Sequence, residues 1–325
     1  MTVLRRLLAS LALVAIGALA PSRAFAQAPE ASQCPPQATA PDPQRFAAGM
    51  RDAKDRGYLW RVRRDGRTSY LYGTIHVARP DWMFPGPRTT AALAGSDTLA
   101  LEIDLLDAEM QSRLAATLRG GSATALPAPL AARLERRFVA ECVDPAGMRA
   151  LAPEFQVATL MVLAARRDGL DPSYGIDLML GVVARSLDKA TVSLETPEAQ
   201  FAALAMPTPA ATIEFVTAGL DELESGRARP LLVRLAKAWS GGDFAEVEGY
   251  ERWCDCRHTA AEREAMKRML DDRNPVLADA IEKLHGGGET VFAAVGSLHM
   301  IGPNGLPALL ARRGFSVEAV RFDDR

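Results

Sequence analysis

Gly73-Thr74-Ile75-His76 and Gly296-Ser297-Leu298-His299 are one phrase written twice, near the front and near the end of a 325-residue chain. Each follows an apolar run with strand character, Tyr70-Leu71-Tyr72 in one case and Val291-Phe292-Ala293-Ala294-Val295 in the other. The chain has 4 histidines and 25 glycines. A given histidine then has glycine three positions earlier roughly one time in thirteen, so two in four is not expected by accident. Each phrase reads as strand, tight turn, and an imidazole at the strand's exit. In open α/β sheets that edge is where ligands bind.

The first 26 residues read as a secretory signal peptide rather than as part of the fold. Arg5 and Arg6 precede an apolar stretch from Leu7 to about Ala20, and Ala24-Phe25-Ala26 is a small-x-small cleavage site. At about 14 residues the apolar stretch is short for a membrane span. The expectation is export to the periplasm or beyond, cleavage after Ala26, and no stable membrane insertion afterwards. Cleavage removes three arginines and no acid. That leaves 35 basic against 40 acidic side chains, a formal charge of −5 where the full chain has −2. This balance argues against a nucleic-acid partner or an anionic membrane surface. Residues 27–43 are rich in Pro, Ala and Gln and read as a flexible lead-in. Residues 44–325 then form the folded domain.

Four cysteines, Cys34, Cys142, Cys254 and Cys256, suggest disulfides in an exported chain. At least one is expected to involve Cys254 or Cys256. A bond within Cys254-Asp255-Cys256 would close a very tight ring, so pairing to Cys34 and Cys142 is geometrically easier, with the connectivity left open. A Cys-x-Cys metal site is the competing reading, and His258 is the only other soft ligand nearby.

Hydrophobic periodicity organises the rest. Leu59–Arg64 and Thr68–Tyr72 flank Asp65-Gly66, a hairpin turn signal. Residues 97–104 form a buried strand ending in the acids Glu102 and Asp104. From about Leu105 to Leu187 the pattern is mainly helical, with breaks at Gly120-Gly121, Pro145, Pro153 and Pro172. Thr191–Glu195 is a short strand. Helices resume from Pro197 to about His285, with a break at Gly241-Gly242, and Gly286-Gly287-Gly288 closes the last. Strand Thr290–Val295, helix Leu306–Arg313 and strand Val317–Phe322 finish the chain. The fold class expected is α/β, with a central, mainly parallel β-sheet built from both chain ends and a long helical insertion.

Imidazole and carboxylate at strand ends are ligands for a divalent transition metal. Two His and one Glu leave a position open for water, whose pKa the metal lowers towards neutrality. Glu102 is the best third ligand for His76 and His299, because it ends a buried strand 26 positions after His76. Gly73 and Gly296 would let the chain adopt a positive φ and approach a ligand closely. There is no Gly-x-Ser-x-Gly elbow and no His-Glu-x-x-His helix, which disfavours serine-hydrolase and zincin mechanisms.

Six blocks then carry a resemblance. YLYGTIHVARPDW (70–82), TLALEID (98–104), GIDLML (175–180), SLETPEAQ (193–200), DDRNPVLADAI (271–281) and FAAVGSLHMIGPNGLPALLARRGFSVEAV (292–320) follow in order the motif blocks of the TraB/GumN family, which includes the Tiki-like metalloproteases. The chain resembles that family from about Tyr58 to Phe322. The resemblance implies an α/β core with both histidines and the Glu of the TLALEID block facing one cleft. In Tiki-like members that cleft is regarded as a divalent-metal site for peptide hydrolysis. By motif this points to His76, His299 and Glu102 as ligands of Mn, Co or Zn. Arg273 and Asn274 match the family's Arg-Asn pair, and Glu195 matches the glutamate of its Leu-Glu-Thr block. Arg273 is expected near a developing oxyanion or a substrate carboxylate. The substrate implied is a peptide or a small molecule. Related folds include an erythromycin-esterase-like group using His and Glu without a metal, and a haem-binding group. A metal-free His/Glu hydrolase and a non-enzymatic periplasmic binding protein therefore stand as alternatives.

Each residue also has a plainer reading. His76 and His299 would bond a backbone carbonyl in their own loops. Glu102 would cap a helix or pair with an arginine. Arg273 would be a helix-surface cation, and Asn274 the N-cap of a helix beginning at Pro275. Glu195 and Asp177 would serve helix starts. His258 and His285 lack strand context and read as surface residues. Trp60 and Trp82 read as core or partly exposed apolar contacts sooner than as a pocket floor.

Overall fold

The Asp65-Gly66 pair takes positive φ at both positions, 52° and 73°, as a two-residue hairpin turn requires. It joins β1 (Tyr58–Arg64) to β2 (Arg67–Thr74) in antiparallel register, Arg64 opposite Arg67. A computed structural model describes residues 34–119, 124–254 and 260–322. The signal-peptide reading, Gly120-Gly121, Cys256 and His258 lie outside the described residues.

The remaining strands are β3 (Thr98–Leu101), β4 (Ala190–Ser193), β5 (Val291–Gly296) and β6 (Ser316–Val320). They make one six-stranded sheet in the order β4-β3-β5-β2-β1-β6. Pairs β2–β5, β3–β5 and β3–β4 are parallel, whereas β1 runs against both β2 and β6. The sheet is thus mostly parallel, and its strands come from both ends of the chain. β5 and β3 are buried along their whole length. Their near-continuous apolar sequences fit parallel strands covered on both faces. At the β6 edge, Glu318 pairs with Arg61 and Arg63 across β1, and charge blunts an edge that would otherwise template pairing.

Helices fill the intervals. α1 (Pro43–Asp52) precedes the hairpin and α2 (Pro87–Ala94) crosses from β2 to β3. Between β3 and β4 come α3 (Ala108–Arg119), α4 (Ala128–Ala140), α5 (Pro145–Arg149), α6 (Pro153–Leu163) and α7 (Ile176–Ser186). Between β4 and β5 come α8 (Pro197–Leu204), α9 (Pro209–Glu224), α10 (Ala228–Gly241), α11 (Phe244–Glu248), α12 (Tyr250–Trp253), α13 (Ala260–Met266) and α14 (Asn274–Gly286), and α15 (Leu306–Arg312) joins β5 to β6. Proline stands in the first turn of α1, α2, α4, α5, α6, α8, α9, α14 and α15, where its missing N–H costs nothing. α6 is apolar nearly all round, consistent with its burial among other helices. Among the described residues no single helix is long and apolar enough to cross a membrane.

Trp239 of α10 pins the helical layer to the sheet. It is fully buried; its indole N–H donates to Gly73 O at 2.8 Å, and its carbonyl accepts from Gly57 N at 3.0 Å. Truncation of such a side chain typically costs about 3–5 kcal/mol.

Cys34 is bonded to Cys142, at the end of α4, and Cys254 is also disulfide-bonded, with its partner outside the described residues. The pairing of Cys34 and Cys142 with the Cys254-x-Cys256 element, expected on ring size, is therefore corrected: Cα atoms 5.7 Å apart suit a direct bond between the two. Within the stretch read as a lead-in, Thr39 N–H also donates to the Tyr174 hydroxyl at 2.9 Å.

His285 is a second correction. It is fully buried, not a surface residue. Its Nε2 faces Arg64 O at 3.0 Å and its Nδ1 faces Ser69 Oγ at 2.8 Å, while Val291 N–H donates to the same Oγ. A carbonyl only accepts, so Nε2 carries the proton and Nδ1 receives the Ser69 hydroxyl. The imidazole bolts the last turn of α14 to β1 and β2.

Candidate functional site

Four neighbouring parallel strands deliver their C-terminal ends to one edge, and every sequence-derived site residue on a strand exit arrives there. His76 lies two residues beyond β2, Glu102 directly after β3, and Glu195 two residues after β4. Gly296 ends β5, and the 3₁₀ turn Ser297–Met300 carries His299. β2 and β5 pair so that Thr74 is opposite Gly296, which sets the two Gly-x-x-His phrases side by side. Ser297 Oγ donates to Thr74 O at 2.7 Å and ties them together. Beyond their strands, Leu194 N donates to Leu101 O and Glu195 N to Glu102 O, so the two glutamates leave the sheet as neighbours. Arg273 and Asn274 come from the start of α14.

The glycines act by size, not by handedness. Neither Gly73 nor Gly296 has a positive φ, which corrects that part of the expectation. A Cβ at Gly296 would sit 3.2 Å from Glu102 Oε1, 3.3 Å from His76 Nε2 and 3.8 Å from His299 Cδ2. The bare Cα is therefore the point on which all three side chains close. A Cβ at Gly73 would meet Ser297 Oγ at 3.1 Å and the Tyr58 ring at 3.2 Å. Gly175 has the same role beneath the first histidine, since a Cβ there would lie 2.9 Å from His76 O. That close approach lets Ile176 N donate to Ile75 O and brings the start of α7 against the His76 loop.

Both imidazoles are held by Nδ1. His76 Nδ1 lies 2.9 Å from Asp177 Oδ2, and its Nε2 lies 3.9 Å from Glu102 Oε1. Burial alone would keep this ring neutral, but the charge of Asp177 at 2.9 Å and then that of Glu102 outweigh it, and the pKa is raised to about 9. His299 Nδ1 lies 2.6 Å from Asn274 Oδ1. The Asn274 amide nitrogen donates to Asn304 O at 2.8 Å, so Oδ1 is the acceptor and His299 carries its proton on Nδ1. Its Nε2 then presents a lone pair. Burial, reinforced by the Arg273 cation, lowers the His299 pKa to about 3. The Asn274 side chain is thus spent on His299 and Asn304, and the expectation that it caps α14 is corrected.

Arg273 sits between the two glutamates. Its Nη2 donates to Glu102 Oε2 at 2.7 Å and to Glu195 Oε1, its Nε to Glu195 Oε2 at 3.1 Å, and its Nη1 to Met269 O at 3.0 Å. Gln200 Nε2 bridges the same carboxylates at 3.2 and 3.1 Å. Burial opposes the charge of Glu102, yet Arg273, both histidines and the Gly296 N–H hold its carboxyl far below the usual range. Glu195 moves the other way, pushed up by burial and by Glu102 against the pull of Arg273. With four of its five N–H bonds committed, Arg273 positions carboxylates, and it lines the same pocket as His76, Glu102 and His299. It stands two residues past a π-helical turn, Lys267–Asp271, a local widening common near functional sites.

His76, Glu102, Gln200, Arg273, Gly296 and His299 floor a pocket with an empty volume of about 830 Å³ counting its open mouth. Val162, Leu204, Leu232, Leu235, Met269 and Leu270, all from the helical layer, form its apolar wall. Trp60 packs on Phe244 in the core, and Trp82 stacks with Arg79; neither lines the pocket. Gln200 is the site residue that sequence reasoning passed over; Asp177, read as a helix-start acid, is one and also faces His76 Nδ1. Asp177 stands in the first turn of α7 and Gln200 in α8, both away from strand exits; the only signal was their place in the GIDLML and SLETPEAQ blocks.

The donor chemistry fits a divalent cation. Two imidazoles held at Nδ1 beside an ionised carboxylate form the arrangement that orients metal ligands; Nε2 of His299 presents its lone pair, and a cation would displace the Nε2 proton of His76. A cation with ligands at about 2.0–2.2 Å spans the 3.9 Å between His76 Nε2 and Glu102 Oε1. Among the described residues no three His, Cys, Asp or Glu groups already stand close enough to cage an ion, so a third ligand would have to close in.

A model of the TraB/PrgY/gumN family matches residues 58–319, and the chain belongs to that family. Neither the curated proteins nor the solved structures yield a match.

Proposed function

We propose that this member of the TraB/PrgY/gumN family is an exported hydrolase of peptide bonds that works with a divalent cation, Mn, Co or Zn, held by His76, His299 and Glu102. The reading is carried by one observation: His76 Nε2 and Glu102 Oε1 converge on the bare Cα of Gly296, with the His299 ring at its flank. The cation, when bound, lowers the pKa of water and polarises a carbonyl. The chain's own residues do the positioning. Asp177 and Asn274 fix the imidazoles, Arg273 and the Gly296 amide hold Glu102 ionised, and the apolar wall seats a substrate side chain. Hydrolysis joins the water oxygen to the carbonyl carbon and breaks the C–N bond, and the amine leaves with a proton from that water. The arginine-led apolar segment at the N-terminus supports export.

Metal analysis of untagged protein, followed by turnover of a mixed peptide library with added Mn²⁺, Co²⁺ or Zn²⁺, tests this. About one equivalent of metal and metal-dependent cleavage are expected, both lost in His76→Ala and His299→Ala. No bound metal and no cleavage under any of these conditions defeats the proposal; stoichiometric metal with no cleavage leaves a binding protein.

A cation-free hydrolase is favoured by a separate observation, the opposite settings of the two imidazoles. His76 lies between two carboxylates and is set to donate a proton, whereas His299 presents a lone pair. In that reading His299 Nε2 takes a proton from water and His76 Nε2–H gives one to the leaving nitrogen. Cleavage that survives exhaustive chelation selects this alternative.

A further inference from the structure

The donors around the pocket are nearly all spent. Arg273 serves two carboxylates and a carbonyl, Gln200 bridges the same carboxylates, Asn274 holds Asn304 O, and Ser297 holds Thr74 O. Thr74 is different. It lines the pocket, it is 1% exposed, and its hydroxyl is buried without a hydrogen-bond partner. A hydroxyl stripped of water and left unpaired costs free energy unless something else completes it.

The sheet directs this side chain. Thr74 is the register partner of Gly296, and register partners in adjacent strands face the same side of a sheet. The side on which Gly296 lacks a Cβ is the side occupied by His76 Nε2 and Glu102 Oε1. Thr74 therefore projects on the face where a bound molecule would lie.

We propose that the Thr74 hydroxyl is the hydrogen-bond donor for the carbonyl oxygen of the bound substrate, the part that Arg273 is too committed to play. This rests on the hydrolase reading. The hydrogen bond strengthens as charge develops on that oxygen, so its loss falls on kcat more than on KM.

Thr74→Val keeps the shape and removes the hydroxyl, and Thr74→Ser keeps the hydroxyl. In the metal-loaded enzyme, Thr74→Val should lower kcat about a hundredfold with KM changed by less than about threefold, and Thr74→Ser should recover most of it. The Tm of Thr74→Val should equal or exceed that of the parent, because an unpaired polar atom is replaced by a methyl group. A Tm lower by several degrees would assign the hydroxyl a structural bond and overturn the proposal, as would an unchanged kcat. If the parent cleaves nothing, binding is read instead by chemical-shift titration with N-acetyl-leucinamide, an uncharged amide with an aliphatic side chain suited to the wall. Affinity about tenfold weaker in Thr74→Val then supports the Thr74 contact while the hydrolase reading falls. Equal affinity, or no binding by the parent, overturns it.

Discussion

The amide N–H of Gly296 donates to Glu102 Oε1 at 2.7 Å. The residue that clears space for the two imidazoles thus also holds the carboxylate between them. Glu102 leaves β3 and Gly296 ends β5, so this bond ties two neighbouring strand ends at the floor of the pocket.

Adding one carbon at this point should separate function from stability. Gly296→Ala places a Cβ in tight contact with Glu102 Oε1 and His76 Nε2, and each must shift by a few tenths of an ångström. We expect metal affinity or turnover to fall at least about tenfold, with a stability loss of about 1–3 kcal/mol. Urea unfolding read beside metal titration checks this. Wild-type affinity in Gly296→Ala would mean that the two side chains do not meet at that Cα.

Asp177 is expected to act through His76. Asp177→Asn keeps the shape but removes the charge that orients the ring. Metal affinity should drop by about 10–100-fold, as is common when the partner of a ligating histidine is lost. Calorimetry with Zn²⁺ or Mn²⁺ measures it. A change below about twofold would reduce Asp177 to a helix-start acid.

The Cys34–Cys142 bond spans a sequence separation of 108. A loop of that length constrains the unfolded chain by about 4–5 kcal/mol in the chain-entropy picture. The Cys34→Ala/Cys142→Ala double variant should lose about 2–5 kcal/mol in denaturant unfolding. Pocket chemistry should be untouched, since neither cysteine lines it. A stability loss under about 1 kcal/mol would show that the unfolded chain gains little freedom.

Asp97 offers a pH test away from the pocket. Its Oδ2 accepts from the Thr290 N–H at 2.8 Å and from its hydroxyl at 2.7 Å, at the start of β5. These two bonds, backbone first, lower its pKa. A depressed carboxylate contributes stability that is present above the unfolded value of about 3.9 and is lost as pH falls through the folded one. Asp97→Asn should therefore lower stability at neutrality and flatten the acid limb below about pH 4, so that the two proteins converge in acid. Parallel acid limbs for the two proteins would refute this.

The hairpin, the strand-bearing chain ends and the helical middle were legible because each has a local period or a turn residue that declares it. His76, Glu102 and His299 were legible as strand exits. Their restraints were not. Asp177 reads as an ordinary first-turn acid, because its partner is 101 positions away in sequence. Gln200 looks like a polar helix residue until two carboxylates arrive beside it. His285 carried an overlooked clue: it continues the Leu277, Ile281 spacing of four along the buried face of α14. The cap reading of Asn274, one of two it carries, follows from the helix that starts there, yet its side chain goes to His299 and Asn304 instead. Glu102 and Glu195 fall just past their strands because ionised groups must turn out of the apolar layer to reach Arg273 and Gln200.

The seating of β5 between β2 and β3 has a temporal meaning. The two early strands touch the same late strand, more than two hundred residues downstream of β2, and cannot be cemented until it emerges from the ribosome. Half of the pocket floor travels with that last segment. A truncated chain, whatever helices it has formed, lacks the centre of its sheet and one of its two imidazoles together. Assembly of the pocket therefore waits on long-range closure, the slow step for sheets paired across such distances.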